Sequence, residues 1–192
     1  MITGVAPQTA TLRSQLDALE ATMKPLEMFD KLYRHMEWAD AAIWDCILSN
    51  EIAAADTGIR ERLHHIHLVQ RAFFSIWHGQ RPEFTELSAF EDGSALARWG
   101  REHHKRLERF IADLSEDRFD EIVNLPWAER LAAEYGTVHD STFAETLVQV
   151  PSHSTNHRGQ VLTKLREIGA KPPTLDFIAW VWRGKPPAKW PV

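Results

Sequence analysis

Four stretches of this chain space their apolar residues three and four apart, over lengths that suit only helices. Phe29, Leu32, Tyr33, Met36, Ile43 and Ile47 mark a first helix over residues 26 to about 49. Leu63, Ile66, Val69, Phe73, Ile76 and Trp77 mark a second, closed by Gly79 and Pro82. Leu96, Trp99, Leu107, Phe110, Ile111 and Leu114 mark a third. Phe143, Leu147, Val150, Val161, Leu165 and Ile168 mark a long fourth, stopped by Gly169 and Pro172-Pro173. Helices with one apolar stripe each must bury those stripes against one another, so the expected fold class is all-α, a four-helix bundle.

The rest of the chain fits round that frame. Residues 1–25 read as an N-terminal arm, with Leu12, Leu16 and Leu19 marking a short helix that Pro25 ends. Residues 26–192 read as a single domain, a length that supports one core. A turn is expected at Asp56 and Gly58, and a loop up to Gly93. Between the third and fourth helices, IVNLPW and the stretch around Tyr135-Gly136 are candidates for two short strands of a hairpin. A short apolar piece, LDFIAWVW, precedes the C-terminal tail.

Charge excludes some partners. Lys+Arg number 22 against Asp+Glu 27, a formal net charge of −5. The basic residues from Arg101 to Arg109 alternate with acids, so no basic stripe supports nucleic-acid binding. No apolar run reaches transmembrane length and no leader pattern opens the chain; a cytoplasmic protein with no membrane partner is expected. The single cysteine, Cys46, reads as a small buried hydrophobe.

Ten histidines remain to be placed. On the second helix Arg60, His64, His67, Arg71 and Ser75 share a polar stripe, so His64 and His67 are expected in solvent, while His65 sits at the edge of the apolar arc. On the fourth helix His153 and His157 lie within about 40° of each other, also at an apolar rim. If these helices are neighbours, His65, His153 and His157 converge as three neutral nitrogen donors. That leaves a coordination position for water or substrate, the pattern of a catalytic metal site. The bland alternative is a polar helix face with no metal. His103, on the third helix's apolar face, is expected to be a satisfied core histidine, with a fourth ligand as the alternative. His35, His78, His104 and His139 are expected at the surface.

Other side chains were weighed for supporting roles. Glu61, Glu37 and Asp40 are candidate bases, each with an exposed carboxylate as its simpler reading. Arg158 needs a carboxylate partner if buried, Asp40 or Glu37 being within reach. Trp38, Trp77 and Trp180 are cleft-wall candidates or, more simply, core. Pro151 is expected to bend the fourth helix, since the apolar arc runs through it; otherwise that helix starts there.

HSTNHRGQ, residues 153–160, resembles the HxxxHRGQ signature of the DinB/YfiT-like superfamily. YRHMEWAD resembles that family's first-helix segment, with Asp40 where Asn is frequent. LHHIHLVQRAFF is similar to its second-helix segment and selects His65; LDFIAWVW resembles its closing segment. The resemblance spans about residues 28–182. Gln70 stands where relatives often carry Glu, and Pro151 has no place in the pattern. The resemblance implies a four-helix bundle holding a divalent metal on three histidines, often as a homodimer. Some relatives are transferases or isomerases that use low-molecular-weight thiols. Zinc is the expected ion, with nickel, iron, copper or manganese as alternatives. The expected function is a metal-dependent transferase or hydrolase acting on a small molecule, with a thiol cosubstrate as one form. The alternative is a non-catalytic, stress-related metal-binding dimer.

Overall fold

A computed structural model describes residues 24–192. Most of the expected arm, with its Leu12–Leu19 helix, lies outside the described residues. Four long helices form the frame: α1 (Pro25–Leu48), α3 (Thr57–Trp77), α4 (Gly93–Ala112) and α6 (Phe143–Glu167). A short α2 (Glu51–Ala55) joins α1 to α3, and α7 (Phe177–Trp182) forms from the closing apolar segment. α3 packs on α6 and α4, and α1 packs on α4 and α6, so the four helices close into a ring. This is the expected all-α bundle.

Local chemistry sets the helix starts. Pro25 occupies the first turn of α1, where its missing N–H costs nothing. Asp56 accepts from the Ile59 N–H to cap α3, and Asp92 accepts from the Ala95 N–H to cap α4. The expected turn at Asp56 and Gly58 is therefore a helix start, and α3 begins well before Leu63. At α6, Thr142 and Glu145 form a reciprocal capping box.

Pro151 lies inside α6, which continues through it. Its ring removes the N–H that would bond the Leu147 carbonyl. The Tyr33 hydroxyl donates to that carbonyl at 2.9 Å, so the freed acceptor is satisfied from α1.

The hairpin is real but one strand is displaced. β1 (Ile122–Val123) pairs antiparallel with β2 (Ser141–Thr142), Ile122 facing Thr142 and Val123 facing Ser141. Tyr135-Gly136 is no strand. It ends a helix, α5 (Ala128–Tyr135), that rides on the hairpin connection. The run AERLAAEY is rich in helix formers, and Gly136 closes it at φ 82°, a conformation that suits glycine.

The core has two apolar halves. One gathers Trp44, Ile47, Leu63, Ile66, Leu96, Val161, Leu165 and Trp180; the other gathers Phe29, Met36, Phe73, Trp77, Leu107, Phe143 and Leu147. On α3, α4 and α6 a buried polar layer falls between the halves along the chain: His67 and Gln70, His103 and His104, Ser154 and Arg158. Buried Asp40 joins this layer from α1.

His67, expected on a solvated stripe, is fully buried instead, because α4 covers that side of α3. His64 is half-buried and donates to the Thr85 carbonyl at 2.8 Å. His35 and His104, expected at the surface, are buried; His35 packs against Trp38, Phe177 and Trp180 and donates to the Leu175 carbonyl. His78 and His139 are exposed as expected. Cys46 is only half-buried. Trp38, Trp77 and Trp180 belong to the core.

Candidate metal centre

His65 projects from α3, and His153 and His157 project one turn apart from α6. These two helices are packed neighbours, so the three rings meet. Ring centroids lie 5.1 Å apart for His65 and His153, 4.6 Å for His65 and His157, and 4.3 Å for His153 and His157. One nitrogen from each ring falls within 4.8 Å of the others, and the Nε2 atoms of His65 and His153 are 3.1 Å apart. Two imidazole nitrogens on one tetrahedral zinc would sit roughly 3.3 Å apart, given metal–nitrogen bonds of about 2.0–2.1 Å. The arrangement is therefore close to a coordination geometry.

The protonation chemistry also suits a metal. Burial lowers the pKa of His65, and the nearby His157 and His64 lower it further. Burial, His157 and His65 together push His153 down to about 4. Both rings are thus neutral at physiological pH, the form that binds a metal. The His157 Nδ1 lies 3.1 Å from Gln160 Oε1. That carbonyl can only accept, so Nδ1 is the donor and Nε2 is the nitrogen available to ligate. Gln160, within the HxxxHRGQ stretch, thus orients a ligand ring, a role that sequence spacing alone does not reveal.

The residues next to the two α6 histidines hold that helix in place from behind. Arg158 donates from Nη1 to Asp40 Oδ1 at 2.7 Å and from Nη2 to Thr155 at 2.9 Å. Asp40 is the expected partner of Arg158; Glu37 instead accepts from the Trp190 indole. Ser154 accepts from the Gln70 amide at 3.2 Å. The donors and acceptors along His67, Gln70, Asp40 and His104 follow from their partners. The Trp44 indole N–H donates to His67 Nε2, so His67 carries its proton on Nδ1 and donates to Gln70 Oε1 at 3.0 Å. The Gln70 amide then donates to Asp40 Oδ2 at 2.8 Å, which also accepts from His104 Nε2 at 2.9 Å. Burial alone would raise the Asp40 pKa. The Arg158 guanidinium and His104 outweigh it and hold the carboxyl well below its usual range.

Asp40, His67 and His104 also bring ligand atoms within 4.8 Å of one another. They do not make a second metal site. The His67 lone pair is taken by Trp44, and Asp40 already accepts from Arg158, Gln70 and His104. His103 is a core histidine, but its Nε2 has no partner, so the expectation of a satisfied one fails. It packs edge-on to Phe74, away from the three-histidine cluster.

His65 and His153 form part of the wall of a cleft of about 920 Å³. Phe73, Trp127, Leu131 and Tyr135 line it as well, with Arg130 and Gln149 as polar members. Among the described residues no carboxylate lines it. Glu61 is exposed and borders a separate depression near Phe90. Trp127, Arg130 and Leu131 come from the α5 segment and were not foreseen; the helical spacing of Leu131 and Tyr135 was the available signal.

The model of the DinB family matches residues 23–185. The chain belongs to the DinB family. No curated protein matches it. The match covers all four frame helices and the three histidines.

Proposed function

We propose that this DinB-family chain is a metal-dependent enzyme that transfers a group between small molecules at His65, His153 and His157. The observation that carries the reading is the meeting of three imidazoles, two of which, His65 and His153, line the wall of a large cleft. A bound divalent ion supplies Lewis acidity and lowers the pKa of a ligated water or thiol. His65 and His153 stay neutral through burial, and Gln160 fixes the proton of His157. With no carboxylate among the described residues of the cleft to act as a general base, a thiol, which ionises readily, fits better than water as the nucleophile. In such a transfer a carbon–sulfur bond forms, the bond from that carbon to its leaving group breaks, and the thiol proton leaves with that group. Zinc is the proposed ion and hydrolysis the alternative reaction. The reading includes a cytoplasmic homodimer, and light scattering checks the oligomeric state.

Metal analysis of protein purified without chelator tests the centre. About one ion per chain is expected, and His65→Ala should lose it while His64→Ala retains it. Less than about 0.1 ion per chain would end the metal reading, because three converged imidazoles retain transition metals. Consumption of a small thiol by the loaded protein, with a panel of electrophiles, then tests turnover. A protein that holds its metal and consumes no thiol would favour the non-catalytic binding role.

A further inference from the structure

The cleft beside the histidines has its own chemistry. Its walls are mostly aromatic and aliphatic, and two of its aromatic rings are left in water: Phe84 is 58% exposed and Tyr135 70%. Exposed aromatics gathered round one concavity mark a surface that a ligand covers. Trp127 packs its ring edge-on to Phe73 at 5.4 Å, which fixes it as a wall. Among the described residues the only cation in the lining is Arg130, and no carboxylate pairs with it. An unpaired guanidinium facing an apolar cleft that lacks carboxylates selects against cations and for an anion.

Resting on the metal reading above, we propose that the substrate of this site has an apolar, aromatic-sized body and one anionic group. The body lies against Trp127, Phe84 and Tyr135, and the anion pairs with Arg130. The volume of about 920 Å³ accommodates such a molecule together with a cosubstrate. Arg130 and Trp127 are thus specificity-determining residues carried by α5, outside the helices that hold the histidines.

Calorimetric binding to the full chain tests this with 4-phenylbutane-1-sulfonate, whose sulfonate is a poor metal ligand. It should bind once per chain, at least about tenfold more tightly than butane-1-sulfonate or 4-phenylbutylamine. Trp127→Ala should weaken it about tenfold, and Arg130→Gln should abolish the preference for sulfonate over amine. Equal binding of the three probes, or an unchanged Trp127→Ala variant, overturns the proposal. So does a cleft filled by a second copy of the chain, in which case the sulfonate fails to bind and Trp127→Ala turns a dimer into a monomer. Metal content measured on the same samples separates the two readings. Metal retained without sulfonate binding refutes the substrate class alone; sulfonate binding without metal refutes the metal centre alone.

Discussion

At the scale of the residue, Gln70 shows how one side chain can be fixed by its neighbours. It accepts from His67 through its oxygen and donates to Asp40 and Ser154 through its nitrogen. Only a side-chain amide carries an acceptor oxygen beside a nitrogen with two donor hydrogens. A carboxylate there would face the buried Asp40 carboxylate, now 2.8 Å from the amide nitrogen. Gln70→Glu should therefore destabilise the fold by about 3 kcal/mol, since a buried charge loses its compensation. Urea unfolding would read this, and an unchanged midpoint would show that the network does not constrain the site. His65 was legible from the sequence because its neighbours on the helix wheel are apolar. His67 was not: its stripe is polar, and only the packing of α4 buries it. Partners distant in sequence decide such cases, as with His104, whose burial depends on Asp40 across the bundle.

At the scale of the element, α3 and α4 are in tight contact at Gly100. A Cβ placed there would come within 2.5 Å of His67 Nε2, the atom that accepts from Trp44. Replacing a mid-helix glycine by alanine ordinarily stabilises by about 1 kcal/mol. Here the sign reverses. Gly100→Ala should cost about 2 kcal/mol or more, because it overpacks a rigid core and breaks a buried hydrogen bond. A thermal midpoint above that of the parent would refute the close packing. Helix periodicity exposed the four frame helices and most of their ends. It missed the start of α3, because the first turns from Thr57 to Arg62 carry few apolar residues, and it missed α5, whose eight residues give too short a pattern. The cost fell on function, since α5 supplies the cleft wall.

At the scale of the whole molecule, the buried histidines make the fold acid-sensitive. Burial pushes His67 down to about 4 and His103 well below its ordinary 6.5; His35 is lowered too, again mainly by burial. The unfolded chain takes up protons on these rings near their ordinary pKa, while the folded chain does not. The unfolded state thus binds more protons, and stability falls as pH drops from about 6.5 towards about 4. The low pKa of Asp40 adds a further loss only below its ordinary 3.8. Urea midpoints of metal-free protein should decline across that window, and a flat profile would contradict the burial of these rings. Among the described residues no helix is long and apolar enough to cross a membrane.

The polar layer between the two apolar halves has a further consequence. Leucine and isoleucine surfaces are interchangeable, so a purely apolar bundle tolerates one helix sliding past another by a turn. Here a slide of α6 by one turn would carry Arg158 away from Asp40 and Ser154 away from Gln70. Such a shift leaves charges stranded in the interior, so the layer acts as a vernier that admits one alignment of the four rods. His153 and His157 are fixed to the same rod. The mark that aligns the bundle therefore also sets how far the α6 imidazoles stand from His65.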